Sequence, residues 1–232
     1  MNKLTQRWLE RIPDDSNVVI CGLGVWIPLT TLLYCLEEGR SESLEQVVGL
    51  KQCDSQEAIQ SVLTNIGHIN ALRLGVALWT RSGIDLKPEF VERFSLLKIG
   101  VLPSKSELDD WARKATDGII SEFPIELNPD TLLVLAAAIS AKATWEQEFW
   151  HTTGVWCGKT FEGFLSRSSS DLNDVAVLKY RSHVYSRVIV RSNAEIDFHL
   201  IAGDASEPAG DVLAAACAAL CGDANITEGE IE

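Results

Sequence analysis

Apolar positions along the chain repeat first at helical spacing and later at strand spacing. Leu4, Trp8 and Ile12 recur at every fourth position, which predicts an amphipathic helix that ends at Pro13. Further helices are predicted at 22–36, from 43, at 55–66, at 88–94, around Trp111 and at 209–220. Alternation with a period of two, clearest at 72–78, predicts the strands.

The predicted strands lie closest together in the last third of the chain. They are 17–21, 72–78, 96–102, 132–142, 175–180, 185–191 and 196–201. The run 152–174 contains three glycines and a serine cluster, so a loose segment is predicted there. Helices first and an antiparallel meander later indicate an α+β fold.

The composition is that of a globular domain, with 46% hydrophobic and 23% charged residues. A chain of 232 residues buries roughly 70–75% of the surface that its unfolded form exposes, so a substantial core is expected. We predict a single domain at 1–222 and a frayed acidic tail at 223–232.

The charge balance excludes two classes of partner. Lys and Arg total 20 and Asp and Glu total 33, which gives a net charge of −13. A field of this sign repels nucleic-acid phosphates and anionic lipid, so neither nucleic acid nor a membrane is expected as a partner.

Targeting and redox signals favour a cytoplasmic protein. Residues 1–15 are polar and amphipathic, unlike a standard secretion signal. The longest apolar run, 132–141, is about half of the roughly 20 residues that a membrane helix needs. The six cysteines are scattered without a Cys-x-x-Cys pair, which is typical of reduced thiols.

Four segments of the chain carry motifs in one order. They are Asn-Val-Val-Ile-Cys-Gly-Leu-Gly-Val-Trp at 17–26, Leu-Lys-Pro-Glu-Phe at 86–90, the stretch around Trp111 at 108–120, and the apolar run at 130–149 with Lys142 and Trp145. Together these segments resemble the serpin family. The resemblance implies N-terminal helices packed on a central mixed β-sheet, followed by an antiparallel β-meander. It also implies that 132–142 is the third strand of the central sheet.

The resemblance carries an expectation about inhibition. Serpins inhibit proteases by inserting a long C-terminal loop into the central sheet, and this chain ends at Glu232, before such a loop would begin. The polar groups that form the shutter under the sheet correspond here to Cys21, Gly24 and Ala137, and the motif proline is Gly22. We therefore expect a serpin-like protein without a reactive-centre loop that is non-inhibitory.

Two groups of residues are candidate sites. Trp145, with Lys142 and Glu146, corresponds in the resemblance to the place where the loop enters the sheet and partners bind. From its size alone, Trp145 is equally a large anchor of the core.

Glu195, Asp197 and His199 alternate along a predicted strand and would face one side, where they could bind a metal or transfer protons. The simpler interpretation is an exposed strand face with Ile196, Phe198 and Leu200 buried opposite, and the apolar alternation favours it.

Other patterns favour structural roles over cofactor or metal binding. Gly22 and Gly24 precede a helix as in a dinucleotide-binding turn, but the third glycine position is Ile27. Cys217 and Cys221 share a helical face, but no histidine or cysteine lies nearby at zinc-ligand spacing. We predict neither a cofactor nor a metal site.

These observations favour a binding or assembly module. Without further strands the 132–142 strand would have an open edge, and native proteins cover such edges. The expected partners are a second copy, forming a homo-oligomer, or a protein that donates a strand. Two alternatives stay open: a protease inhibitor acting with a separately encoded C-terminal part, and a small-molecule enzyme on a reused scaffold, for which the sequence offers no defensible nucleophile.

Overall fold

The computed structural model describes residues 4–5, 21–37, 39–146, 149–156, 159–166, 175–204, 206–222 and 224–228. The predicted helix at 4–13 lies largely outside these residues, as does the predicted strand at 17–21 except for Cys21. The chain forms two compact units, of which the first spans Cys21–Lys142 and the second contains the described residues from Ala143 onward.

The helices of the first unit follow the predicted segments closely. They are α1 (Gly22–Cys35), α2 (Glu42–Val48), α3 (Ser55–Gly67), α4 (Pro88–Arg93) and α5 (Lys105–Ala115). Helix α5 begins with a capping box, in which the Ser104 and Glu107 side chains each bond to the other residue's backbone amide. Among the described residues, no helix is both long and apolar enough to cross a membrane.

The first unit is built on a three-stranded mixed sheet. Its strands are β1 (Leu72–Thr80), β2 (Lys98–Val101) and β3 (Leu133–Ala141), in the order β2-β1-β3. Strand β2 runs parallel to β1, and β3 runs antiparallel to it with Leu72 opposite Ala141 and Thr80 opposite Leu133. The α+β class and the central mixed sheet are therefore confirmed.

Helix α5 covers one face of this sheet. Trp79 on β1 and Val134 on β3 form a buried cluster with Leu108 and Ala112 of α5 and with Phe123. Because paired residues on neighbouring strands point to the same face, Ala77 and Ala136 lie on this face too. Helix α1 packs on strand β3, and helix α3 packs on strand β1. The alternate residues Val76 and Leu78 of β1 are buried.

The crossing of α5 over β1 depends on a glycine. A methyl group placed at Gly75 would come within 2.6 Å of the Ala115 Cβ atom, which is closer than real carbon atoms approach. The absent side chain at Gly75 therefore lets the last turn of α5 rest directly on the strand.

The second unit begins with a hairpin where a loose segment was predicted. Strands β4 (Phe149–Trp156) and β5 (Lys159–Ser166) pair antiparallel with Thr152 opposite Gly163. The prediction for 152–174 was wrong over these strands, because their aromatic and β-branched residues outweigh the glycines. The remainder, 167–174, lies outside the described residues.

A four-stranded antiparallel sheet, ordered β8-β7-β6-β9, completes the second unit. Its elements are β6 (Val175–Tyr180), β7 (His183–Val190), β8 (Phe198–Ala202), the helix α6 (Ala209–Cys221) and β9 (Asn225–Glu228). Leu178 and Tyr185 pack against Ala215 of α6. The frayed tail predicted from 223 needs correction at Asn225–Glu228, because pairing with β6 satisfies the backbone groups of that stretch.

We expect Gly75→Ala to destabilise the protein by about 1–3 kcal/mol, because the added methyl group must push α5 away from β1. Gly100→Ala is the matched control on the same sheet, since its methyl group would meet nothing closer than 3.8 Å. Urea unfolding of the two variants measures the difference. Equal stability of the two would contradict the close packing of α5.

Candidate functional site

The outer edge of β3 presents unpaired backbone groups. The Arg81 amide donates to the Leu132 carbonyl and the Lys142 amide donates to the Ala71 carbonyl, both at 2.8 Å. In an antiparallel pair only alternate residues bond to the partner strand, so the even-numbered residues of β3 bond to β1. The odd-numbered residues therefore direct their N–H and C=O groups away from β1, and they are Leu133, Leu135, Ala137, Ile139 and Ala141.

No described residue pairs with this outer edge. Sheet edges are normally protected by charged side chains, proline or a bulge. Strand β3 reads Leu-Val-Leu-Ala-Ala-Ala-Ile-Ser-Ala, with no charge and no proline, and its register with β1 is continuous. The edge of β3 can therefore accept another strand without removing a protective group.

The shutter positions cannot form a polar latch through their side chains. Ala137 lies at the middle of β3, with its side chain on the face opposite α5. The side chains of Ala137 and Gly24 contain no atom that forms hydrogen bonds. The Cys21 Sγ atom already accepts a hydrogen bond of 3.3 Å from the Gly24 amide and so caps the N-terminus of α1.

The structure divides the predicted Trp145 site between the two units. Lys142 belongs to the first unit, whereas Trp145 and Glu146 belong to the second. The Trp145 ring is 38% exposed and packs edge-on against Phe198 with the ring centroids 4.6 Å apart. The Glu146 amide donates to the Arg191 carbonyl. Trp145 is therefore partly an anchor within the second unit and partly a surface side chain.

Glu195, Asp197 and His199 do not form a group that could hold a metal ion. Asp197 accepts a hydrogen bond of 2.9 Å from Arg191, and His199 Nδ1 lies 2.9 Å from a nitrogen of Arg187. Burial and the neighbouring Arg187 charge lower the pKa of His199. Glu195 is exposed in the bend before β8. Asp197 and His199 are thus each engaged with an arginine.

The simpler interpretation of this strand was also wrong in its orientation. Phe198 and Leu200 are exposed on β8, whereas Ile201 packs with the core under α6. His199 shares the face of Ile201 because the two are separated by two positions on a strand. The partnership of His199 with Arg187 is set by strand pairing, and no sequence pattern signals it.

Metal and redox chemistry find no support within the described ranges. No group of three His, Cys, Asp or Glu side chains there could hold a metal ion. Cys21, Cys35 and Cys53 are free thiols, and burial raises the pKa of Cys35 to about 11. Cys217 is buried on α6, in keeping with a structural role.

Three solved or curated proteins illustrate what the chain resembles. Alpha-2-antiplasmin of Mus musculus is 26% identical over 145 residues, which are 58% of this chain and 29% of that protein. Human glycosylated kallistatin superposes with a TM-score of 0.75 at 16% identity, over 96% of this chain and 65% of that one. Cleaved Serpin 42Da superposes with a TM-score of 0.74 at 14% identity, over 97% of this chain and 67% of that one.

The chain spans less than a third of the length of the curated relatives that it matches. The solved structures share the fold, with the chain covering about two thirds of each. The family model described as Serpin (serine protease inhibitor) matches residues 1–154, which is more than half of the chain. The protein therefore belongs to the serpin family.

Proposed function

We propose that the protein is a non-inhibitory serpin-family binding or assembly module that accepts an extended strand along the outer edge of β3. The observation that carries the proposal is the unprotected edge, with its outward amides and carbonyls between Leu133 and Ala141. Adding a strand there satisfies these groups and covers apolar side chains, as in β-augmentation of other sheets.

A second copy of the chain is the occupant that the geometry favours. If two β3 strands pair antiparallel about a two-fold axis at Ala137, then Leu135 faces Ile139 and Leu133 faces Ala141. Every outward residue then meets an outward residue, so both hydrogen bonds of each pair form. Because β3 is uncharged, this contact brings no like charges together despite the net charge of −13.

A strand donated by another protein would use the same backbone groups. The edge places few restrictions on the side chains of the donor strand, since it is lined by alanine, leucine and isoleucine. The register of the donor would come from its own alternation of apolar residues.

Amide exchange should alternate along β3 in the unassembled protein. We expect fast exchange at Leu135, Ala137 and Ile139, whose amides point outward, and slow exchange at Ala136 and Ala138, whose amides bond to β1. Residue-resolved hydrogen exchange by NMR in dilute solution measures the pattern. Uniform protection at low concentration would mean that the edge is already covered within one chain.

Ala137→Pro should abolish assembly and preserve the fold, because proline removes an outward amide and no bond to β1. Ala138→Pro is the matched control. It removes the backbone hydrogen bond to Gly75 and should lower the free energy of unfolding by about 1–3 kcal/mol. Sedimentation should find the native chain as a dimer or larger and the Ala137→Pro variant as a monomer. A native chain that stays monomeric in micromolar solution would contradict self-assembly, and an assembled Ala137→Pro variant would contradict pairing at this edge.

Protease inhibition is the second candidate function, favoured by the description of the family. The polar latch that the resemblance implies has no polar side chain at Gly24 or Ala137. An inhibitory mechanism that depends on this latch is therefore unsupported here.

The 232-residue chain should not trap a serine protease. Incubation with trypsin-like, chymotrypsin-like and subtilisin-like enzymes should yield digestion products or intact chain on a denaturing gel. The catalytically dead form of each enzyme serves as the control, because covalent trapping requires its serine. A complex that survives the gel with the active enzyme, but not with the catalytically dead form, would establish inhibition and overturn the non-inhibitory proposal.

A further inference from the structure

An open groove runs between helix α5 and the β1–β2 side of the sheet. Its volume is about 820 Å³, which lies within the range of small-molecule sites in proteins. The residues that matter to its chemistry are Trp79, Lys98, Gly100, Glu107, Trp111 and Lys114. We call it the α5 groove.

The floor of the α5 groove is apolar and uncovered. Gly100 lies opposite Trp79 in the parallel pairing of β1 and β2, and it carries no side chain to fill the space. The rings of Trp79 and Trp111 meet edge to face with their centroids 5.1 Å apart. Leu96 lines the groove and is 60% exposed, so its apolar surface is left in water.

The wall formed by α5 is held in place before any ligand arrives. The contact of Ala115 with Gly75 holds the last turn of the helix against β1. Leu108 and Ala112, which are buried against Trp79 and Val134, fix its middle. A groove with a rigid wall binds a ligand without first ordering the protein.

The acidic side chains of the groove are already engaged. Glu107 accepts hydrogen bonds of 2.9 and 2.7 Å from the Ser104 amide and hydroxyl, and these bonds lower its pKa. Asp110 accepts a hydrogen bond of 2.6 Å from Arg113. Each carboxylate therefore already accepts charge-assisted hydrogen bonds within α5 and its cap.

The basic side chains of the groove have no such engagement. Neither Lys98 nor Lys114 forms an ion pair with another residue of the described part of the chain. Lys98 lies on the α5 side of β2, because it pairs with Ala77. In a protein with a net charge of −13, two lysines beside an apolar floor form a local site for negative charge.

We propose that the α5 groove binds a small amphipathic organic anion with a flat aromatic body. The body would lie over Gly100 and against Trp111 and Leu96, and its carboxylate or sulfonate would bind the Lys98 and Lys114 ammonium groups. Packing against the Trp111 ring favours a flat aromatic ligand, and the lysines discriminate against a neutral or cationic ligand of the same shape. This site is separate from the β3 edge and does not depend on strand pairing.

Isothermal titration calorimetry with 2-naphthoate and the nearly isosteric, neutral 2-naphthamide tests the proposal on the full chain. We expect 2-naphthoate to bind with one site per chain and the amide to bind at least about tenfold more weakly, since only the carboxylate gains charge-assisted bonds. Equal affinity for the two probes, or no binding of 2-naphthoate at millimolar concentration, would overturn the proposal.

Three variants locate the site. Lys98→Gln and Lys114→Gln should each weaken 2-naphthoate binding several-fold and leave 2-naphthamide unchanged, whereas Lys87→Gln, which removes one exposed charge away from the groove, should change neither. Gly100→Leu should abolish binding of both probes, because its side chain fills the floor. Lysine variants that bind like the native chain would overturn the assignment, and this readout holds even if Gly100→Leu fails to fold.

Discussion

The antiparallel ladder between β1 and β3 is the constraint on which the first unit depends. Its register decides which residues of β3 bond inward to β1 and which present their backbone groups at the outer edge. The same register places Trp79 and Val134 on the face under α5. A shift by one residue would exchange the faces, bury the wrong side chains and turn the Ala137 amide inward.

Small residues let this ladder serve two surfaces at once. Gly75 allows α5 to rest on β1, and Gly100 leaves the neighbouring part of the same face open as the α5 groove. Ala137 leaves the outer edge without bulk or charge. The edge and the groove lie on opposite sides of β1, so the proposed strand acceptor and the proposed anion site can be occupied independently.

The second unit shows where local patterns mislead. The glycines of 152–174 helped to predict a loose segment, yet Gly154 and Gly163 both lie within the β4–β5 hairpin, where cross-strand pairing compensates for their missing side chains. The alternation at 195–200 predicted that Phe198 and Leu200 would be buried, but Ile201, on the opposite face, packs with the core under α6. A period of two defines two faces of a strand, and only the neighbouring elements decide which face is covered.

The sequence by itself determined the helices, most strands, the α+β class and the family, because these depend on periodicity and on motifs that are local in the chain. It also identified Cys21, Gly24 and Ala137 as positions without the expected polar side chains. Only the tertiary structure decided that the amide of Ala137 faces outward and that Trp145 packs on Phe198. These are contacts between residues distant in the chain, and local periodicity carries no information about which strand lies beside which.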